Sequence, residues 1–371
     1  MPVAITLSLY IARVFSFAMM SMLAALTALV ELFDFIELLR RSATRPEATF
    51  GAVAEIAALH LPWNAMQILP FAVLLGGIMA FWRLTRSSEL IVARAAGVSA
   101  WQFLAGPVLC AIALGAFATA AISPLSAAMR AESEAMENTY LKGNAAPLLT
   151  GGQLWLRQAD SDLAPHGVAI LHASGVTLQK GVLNATGVSV FRLDPGDRLL
   201  QRIEASSAVL NDGAWVLQNA RAITPGRLPG PSTPRSIELS TNMTVERVQQ
   251  SFAAPDTFSV WALPGFIQLL ERSGFSAIRH RLEFQTLLAL PLLAGTMSLL
   301  AAGFSMRSTR RGGVGVMIGS GVAAGFALFM VSKITEEFGQ SGALPPVLAA
   351  WAPAGAGLLL SLAFLLHLED G

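Results

Sequence analysis

Cysteine is almost missing from this sequence. The single Cys110 lies inside a long apolar stretch, so the chain cannot form an intrachain disulfide or a cluster of thiolate metal ligands. Histidine is also sparse, and His166 and His172 have no cysteine or acidic residue near them at metal-ligand spacing. The sequence therefore predicts neither a metal site nor another cofactor in this chain.

Charged residues are scarce as well. They make up 13% of the chain, against about 25% in an ordinary soluble protein, while hydrophobic residues make up 54%. The net charge is only +1, which gives no reason to expect nucleic acid as a partner. This composition is typical of an integral membrane protein.

Lysine is rare, and common catalytic motifs are missing. None of the three lysines, Lys142, Lys180 and Lys333, follows a glycine, so the chain has no Walker-type phosphate-binding loop. The zinc-protease motif His-Glu-x-x-His and the hydrolase motif Gly-x-Ser-x-Gly do not occur either. We therefore expect a protein that is not an enzyme and has no catalytic residues.

Long apolar runs are what the sequence has in abundance. A bilayer is crossed by about 20 apolar residues in a helix. Six runs approach or exceed this length, and they lie at residues 14–30, 60–83, 100–122, 284–306, 312–332 and 347–366. The sequence therefore predicts six transmembrane helices, three on either side of a different central region.

That central region, residues 123–256, is rich in turn signals at 194–197, 211–213 and 225–234. Between the turns lie short runs with partial alternation of apolar and polar residues, at 152–157, 168–172, 187–192, 199–205 and 215–219. The pattern predicts an inserted all-β domain of a sandwich or jelly-roll kind outside the membrane. We therefore divide the chain into residues 1–122, 123–256 and 257–371.

Arginines in the short loops indicate the orientation. With the N-terminus in the cytoplasm, six arginines lie inside and three outside, which satisfies the positive-inside rule. The inside residues are Arg83, Arg86, Arg94, Arg307, Arg310 and Arg311, and the outside residues are Arg40, Arg41 and Arg45. Arg279 and Arg281 count against this choice, because it places them on the outer side of the membrane. It places the β domain outside, which is the periplasm if the membrane is a bacterial inner membrane.

A short charged segment at about residues 84–97 separates the second and third apolar runs. Ser87 or Ser88 can cap a helix there, and Gly97 can end it. A helix of about nine residues is only ~13 Å long, so it must lie on the membrane surface and dock onto something. Glu89 in its first turn either complements the helix dipole or contacts another chain.

Three acids follow the first apolar run at helical spacing. Glu37 can pair with Arg40 and Arg41, three and four residues further on. Glu31 and Asp34 have no basic residue three or four positions away. Because acids this close to a membrane core are costly unless they face protein or water, they either line a functional cavity or lie exposed at the interface.

Four motifs together resemble the LptF/LptG family of permease subunits, which extract lipopolysaccharide from the inner membrane. They are the segment 86–99, the sequence Asp-Gly-Ala-Trp at 212–215 in the β domain, Arg-His-Arg-Leu-Glu-Phe at 279–284, and Leu-Pro-Pro-Val-Leu-Ala-Ala-Trp at 344–351. The last two are more similar to LptG than to its sibling LptF. The resemblance covers nearly the whole chain.

The resemblance implies a set of roles and partners. Residues 84–97 would be a coupling helix in a groove of a cytoplasmic LptB-like ATPase dimer, which binds the ATP, with coupling residues Arg86, Glu89, Leu90 and Arg94. A second, LptF-like permease would complete the membrane cavity for lipopolysaccharide. LptC-like and LptA-like proteins would continue the path through the periplasm.

One feature departs from the family. Its members often carry a basic residue on the periplasmic half of the first span for the phosphates of lipid A, where this chain has acids, including Glu31 and Asp34. Arg40, Arg41 and Arg130 are either phosphate partners or simply solvated. We include all five residues as candidates for substrate binding.

A protein of another class fits the same layout. A membrane-anchored envelope sensor or scaffold would also have apolar spans and an external β domain. The surface helix discriminates between the two, because a scaffold has no need of a docking segment for an ATPase.

Overall fold

The computed structural model describes most of the chain, namely residues 2–43, 48–89, 92, 95, 98–141, 154–160, 167–179, 182–196, 198–211, 213–225, 235–241, 254–272, 276–305 and 314–370. The chain divides into two compact units. The helical unit comprises Met1–Glu137, Pro255–Pro264 and Ile278–Gly371, and the β unit comprises Asn138–Ala254 and Gly265–Ala277.

Eight α-helices occur within the described residues. They are α1 (Pro2–Ser42), α2 (Phe50–Arg86), α3 (Ala100–Phe117), α4 (Ser123–Tyr140), α5 (Leu263–Arg272), α6 (Ile278–Ser305), α7 (Val314–Gln340) and α8 (Pro346–Asp370). A π-helical turn, Ala118–Ile122, joins α3 to α4, and a 3-10 turn, Pro255–Thr257, follows the β unit.

Five helical stretches are long and apolar enough to cross a membrane. They are Phe50–Arg86, Trp101–Glu137, Ile278–Ser305, Ile318–Gln340 and Pro346–His367. The remaining predicted span, residues 14–30, lies within the 41-residue helix α1, which is not among these five. The chain is therefore a multi-pass helical membrane protein, with five of the six predicted spans meeting the criterion of length and composition.

The third predicted span does not end at residue 122 but continues through the π-helical turn into α4. Pro124 has no N–H, so it cannot donate to the carbonyl oxygen of Ala120 four residues earlier. The indole Nε1–H of Trp261 donates to that oxygen instead, at 3.0 Å. The predicted domain boundary at 122/123 thus lies inside a continuous helical stretch, and the β unit begins later, at Asn138.

The β unit contains one antiparallel sheet of six strands in sequential order. The strands are β1 (Leu154–Asp160), β2 (Gly167–Gln179), β3 (Val182–Leu193), β4 (Leu199–Asn211), β5 (Ala214–Ile223) and β6 (Arg235–Ser240). The first five contain or overlap the five runs predicted from alternation, whereas β6 was not predicted. The described strands thus form a single sheet and not the two facing sheets of a sandwich.

The sheet curls so that its first and last strands meet. Gln158 on β1 donates through Nε2 to the carbonyl oxygen of Ser240 on β6, at 2.9 Å. The hydroxyl of Thr241 donates to Oε1 of Gln158, at 2.7 Å. Curling places one face of every strand inside, and the fully buried Trp215 is the largest side chain of this core.

Glycines allow close contacts between the membrane helices. A Cβ at Gly76 in α2 would lie 2.5 Å from the Cα of Met19 in α1, and a Cβ at Gly115 in α3 would lie 2.6 Å from the Cα of Pro291 in α6. Small residues at such crossings let helix backbones approach in a membrane, where helix association depends on tight packing. The contact at Gly76 holds α1 directly against α2, and this fixes which residues of α2 face the acids of α1.

Candidate functional site

A chain of ionisable side chains connects α1, α2 and α4 in the helical unit. His60 on α2 is buried, and its Nδ1 lies 2.7 Å from Oδ2 of Asp34 on α1. Its Nε2 lies 3.2 Å from Oε1 of Glu137, near the end of α4. The imidazole therefore lies between two carboxylates and connects α1 to α4 through α2.

Glu31 lies one helical turn before Asp34 and also faces α2. The side-chain amide of Asn64 donates to Oε2 of Glu31, at 3.2 Å. Both acids therefore contact polar side chains of α2 and are only partly exposed. Sequence spacing did not show this, because His60 and Asn64 are 26 and 33 residues away from their partners.

The basic residues at the end of α1 form the local pairs that their spacing indicated. Arg40 donates two hydrogen bonds to Glu37, of 2.8 and 2.7 Å, and Arg41 donates one of 3.0 Å. Both guanidinium groups are well exposed, with side chains 76% and 58% accessible. They are therefore open to contact by an anionic ligand from outside.

Arg130 on α4 has a different environment. Its Nε donates to Oδ2 of Asp256 at 3.0 Å, and both side chains are largely buried. At the start of the same helix, Oγ of Ser123 accepts a hydrogen bond of 3.1 Å from the backbone N–H of Val260. Arg130 is thus largely buried, and its pair with Asp256 helps to hold the segment that returns from the β unit against α4.

The surface segment begins directly after α2. Ser87 is the C-cap of α2, with its N–H donating to the carbonyl oxygen of Arg83, and Ser88 has a positive φ of 61° that turns the chain. The N–H of Val92 donates to the carbonyl oxygen of Ser88 at 3.1 Å, which is the first hydrogen bond of a helical turn. Leu90 and Arg94 lie outside the described residues.

Two coupling candidates, Arg86 and Glu89, do not pair with each other in the way that their spacing allows. The guanidinium of Arg86 lies over the ring of Trp82, 5.5 Å from its centroid. Oε1 of Glu89 instead accepts a hydrogen bond of 2.7 Å from the hydroxyl of Ser87. Ser87 therefore orients the Glu89 carboxylate, and this short polar contact was not predicted.

Taken together, several apolar membrane helices, an inserted antiparallel sheet and a short charged turn between the second and third long helices define a multi-pass membrane protein with an inserted β domain. The model of the lipopolysaccharide export system permease LptF/LptG family matches residues 9–367, so the chain belongs to this family. The resemblance seen in the four sequence motifs is thereby confirmed.

Individual relatives carry the LptG name. The chain is 25% identical over 363 residues to the lipopolysaccharide export system permease protein LptG of Escherichia coli strain K12, covering 96% of this chain and 97% of that protein. It is 23% identical over 352 residues to LptG of Haemophilus influenzae, covering 94% and 95% respectively. These relatives favour LptG over LptF as the more similar sibling.

Proposed function

We propose that this chain is the LptG-like permease subunit of a transporter that extracts lipopolysaccharide from the inner membrane and passes it towards the outer membrane. The family match over residues 9–367 is the observation that carries this proposal. Because the sequence has no phosphate-binding loop, the ATP is hydrolysed by a separate ATPase dimer of the LptB kind. An LptF-like second permease completes the membrane cavity.

The architecture supports a division of tasks between the two units. In this proposal α1 supplies a sixth membrane span, and the apolar helices form one wall of the cavity. The curled sheet receives the lipid, and the parts of β1 and β6 beyond the contact of Gln158 with Ser240 offer strand edges to LptC-like and LptA-like proteins. Exposed Arg40 and Arg41 are the best-placed cations for phosphate groups of the lipid.

The contacts of α2 provide a route for coupling. The surface turn follows Arg86 immediately, so force on Glu89 acts on the end of α2. Thr85 donates to the carbonyl oxygen of Phe81 at 2.8 Å and also reaches the carbonyl oxygen of Ser305 on α6, at 3.4 Å. The close contact at Gly76 passes the movement of α2 to α1. In this way closure of the ATPase dimer shifts helices that line the cavity.

Co-purification and transport test the proposal directly. We expect the tagged full-length chain to purify with a nucleotide-binding subunit and a second permease. The complex in proteoliposomes should release lipopolysaccharide to a periplasmic acceptor only when ATP is present. A chain that purifies with envelope proteins but never with a nucleotide-binding subunit would support the scaffold alternative and contradict this proposal.

The proposed orientation makes a separate prediction. Because arginines favour the loop with residues 83–99 inside, a cysteine introduced at Asn211 should react with a membrane-impermeant maleimide in cells whose outer membrane has been permeabilised. A cysteine at Ser88 should react only after the inner membrane is opened. Both positions are exposed, and Cys110 is the one native cysteine to remove. Reaction at Ser88 in cells with an intact inner membrane would reverse the topology.

A further inference from the structure

A second polar location in the helical unit lies away from the acids of α1. The helices α2, α6, α7 and α8 surround an open cavity of about 100 Å³. Its walls are mainly apolar and include Trp63, Leu287, Leu290 and Phe329. Its polar lining comprises Gln67, Glu283, Thr286, Ser332, Lys333 and Glu336.

The cavity lining has two acidic side chains, Glu283 and Glu336, and one basic side chain, Lys333. The ammonium of Lys333 lies 2.7 Å from Oε2 of Glu336 and donates to Gln67 at 3.4 Å, so Glu336 already neutralises it. Glu283 has no hydrogen bond or ion pair within the described part of the chain. The hydroxyl of Thr286 is buried and also lacks a hydrogen-bond partner among the described residues. The cavity therefore has an unpaired carboxylate and an unpaired hydroxyl on the same helix.

The surroundings of Glu283 favour an organic cation over a metal ion. Calcium and magnesium need about six oxygen ligands, and no group of three or more His, Cys, Asp or Glu side chains in the described ranges has the geometry to hold a metal. The aromatic ring of Trp63 in the cavity wall is instead typical of sites for ammonium groups, and Phe329 already has the ammonium of Lys333 over its ring, 5.9 Å from the centroid. Apolar walls next to one carboxylate that has no ion pair among the described residues, that of Glu283, fit an amphiphile whose head group is an ammonium.

We propose that the cavity binds an aminophospholipid of the surrounding bilayer, with the primary ammonium of its head group on Glu283. The helices that form the cavity are four of the candidate membrane spans, so lipid is the ligand present at highest concentration. Lys333 has three N–H donors and uses two of them on Glu336 and Gln67, which leaves one for the phosphate of the same head group. The first carbons of the acyl chains lie along Leu287 and Leu290. This lipid is a resident ligand and not the transported one.

Photocrosslinking measures whether the cavity prefers an aminophospholipid to a phospholipid without an ammonium. The purified full-length chain in neutral detergent is given trace phosphatidylethanolamine with a diazirine in its acyl chain, or phosphatidylglycerol with the same chain. We expect crosslinks on peptides of α2, α6 and α7 to be at least about threefold more abundant with phosphatidylethanolamine. Glu283→Gln should reduce this ratio to about one. Glu337→Gln should retain the ratio, because Glu337 lies on the same helix as Lys333 but is exposed and outside the cavity lining.

A second variant gives an answer even if Glu283→Gln does not fold. Ala350 lines the cavity, and Ala350→Leu would fill part of it. This change should lower crosslinking of both lipids at these peptides while leaving labelling elsewhere unchanged. Equal labelling by the two lipids in the unmodified chain, a ratio that survives Glu283→Gln, or full labelling of Ala350→Leu would each overturn the proposal. The assay needs neither ATP nor partner subunits, so its result is independent of transport.

Discussion

Glu89→Ala is expected to weaken binding of the ATPase by about ten- to a hundredfold and to stop lipid export, while the permease is still made and inserted. A charge-assisted hydrogen bond to a partner contributes about 1.5–3 kcal/mol, which corresponds to this range of affinity. The loss of a helix-dipole interaction would cost only about 0.3–1 kcal/mol. Glu89→Gln keeps a polar group and should be intermediate. Pull-down of the ATPase and export in proteoliposomes measure the two effects.

Ser87→Ala is the matched control for this prediction. It removes the hydroxyl that donates to Glu89 but keeps the carboxylate and its charge. We expect a loss of ATPase affinity well below that of Glu89→Ala, since Ser87 only orients the carboxylate. If Glu89→Ala assembles and exports normally, the carboxylate only complements the helix dipole, and the assignment of Glu89 as a coupling residue is wrong.

Arg192→Met is expected to destabilise the β unit strongly. Arg192 on β3 and Asp160 on β1 form a buried bidentate pair in which the second hydrogen bond, from a terminal guanidinium nitrogen to Oδ1, is 2.6 Å. Removing one partner leaves a buried charge without compensation, which costs about 3–5 kcal/mol. A typical domain is stable by only about 5–15 kcal/mol. Proteolysis of the full-length chain should therefore cut within residues 154–241 at a lower temperature.

Two further variants test whether Arg192 stabilises the β unit through its ion pair with Asp160 or through its packing. Asp160→Leu combined with Arg192→Met removes both charges, and we expect resistance to proteolysis close to that of the unmodified chain. Glu204→Gln disrupts an ion pair with Arg202 in which both side chains are more than two-fifths exposed, so its effect should be below about 1 kcal/mol. A double variant as unstable as Arg192→Met would show that the arginine acts through packing and not through its pair with Asp160.

Much of the architecture could be predicted because its causes are local. Apolar runs identify membrane helices from about 20 consecutive residues, and alternation identified five of the six strands. The pairs of Glu37 with Arg40 and Arg41 follow from helical spacing alone. β6 was missed although Ile237 and Leu239 alternate with polar residues, because it is only six residues long and directly follows the Pro/Gly-rich stretch 225–234. The helical stretch continues past the boundary predicted after residue 122, because that boundary was set by the length of one bilayer crossing, whereas the uncharged run itself extends to Met129.

The amino-acid sequence by itself determined the class of protein, the inserted strands and the family, since these depend on composition, short-range periodicity and local motifs. Only the tertiary structure decided which polar groups meet. His60 lies between Asp34 and Glu137, Gln158 joins the first strand to the end of the last, and Lys333 shares a cavity with Glu283. Such partners are tens of residues apart in the chain. Their proximity follows from helix crossings and sheet curvature, which no local pattern encodes.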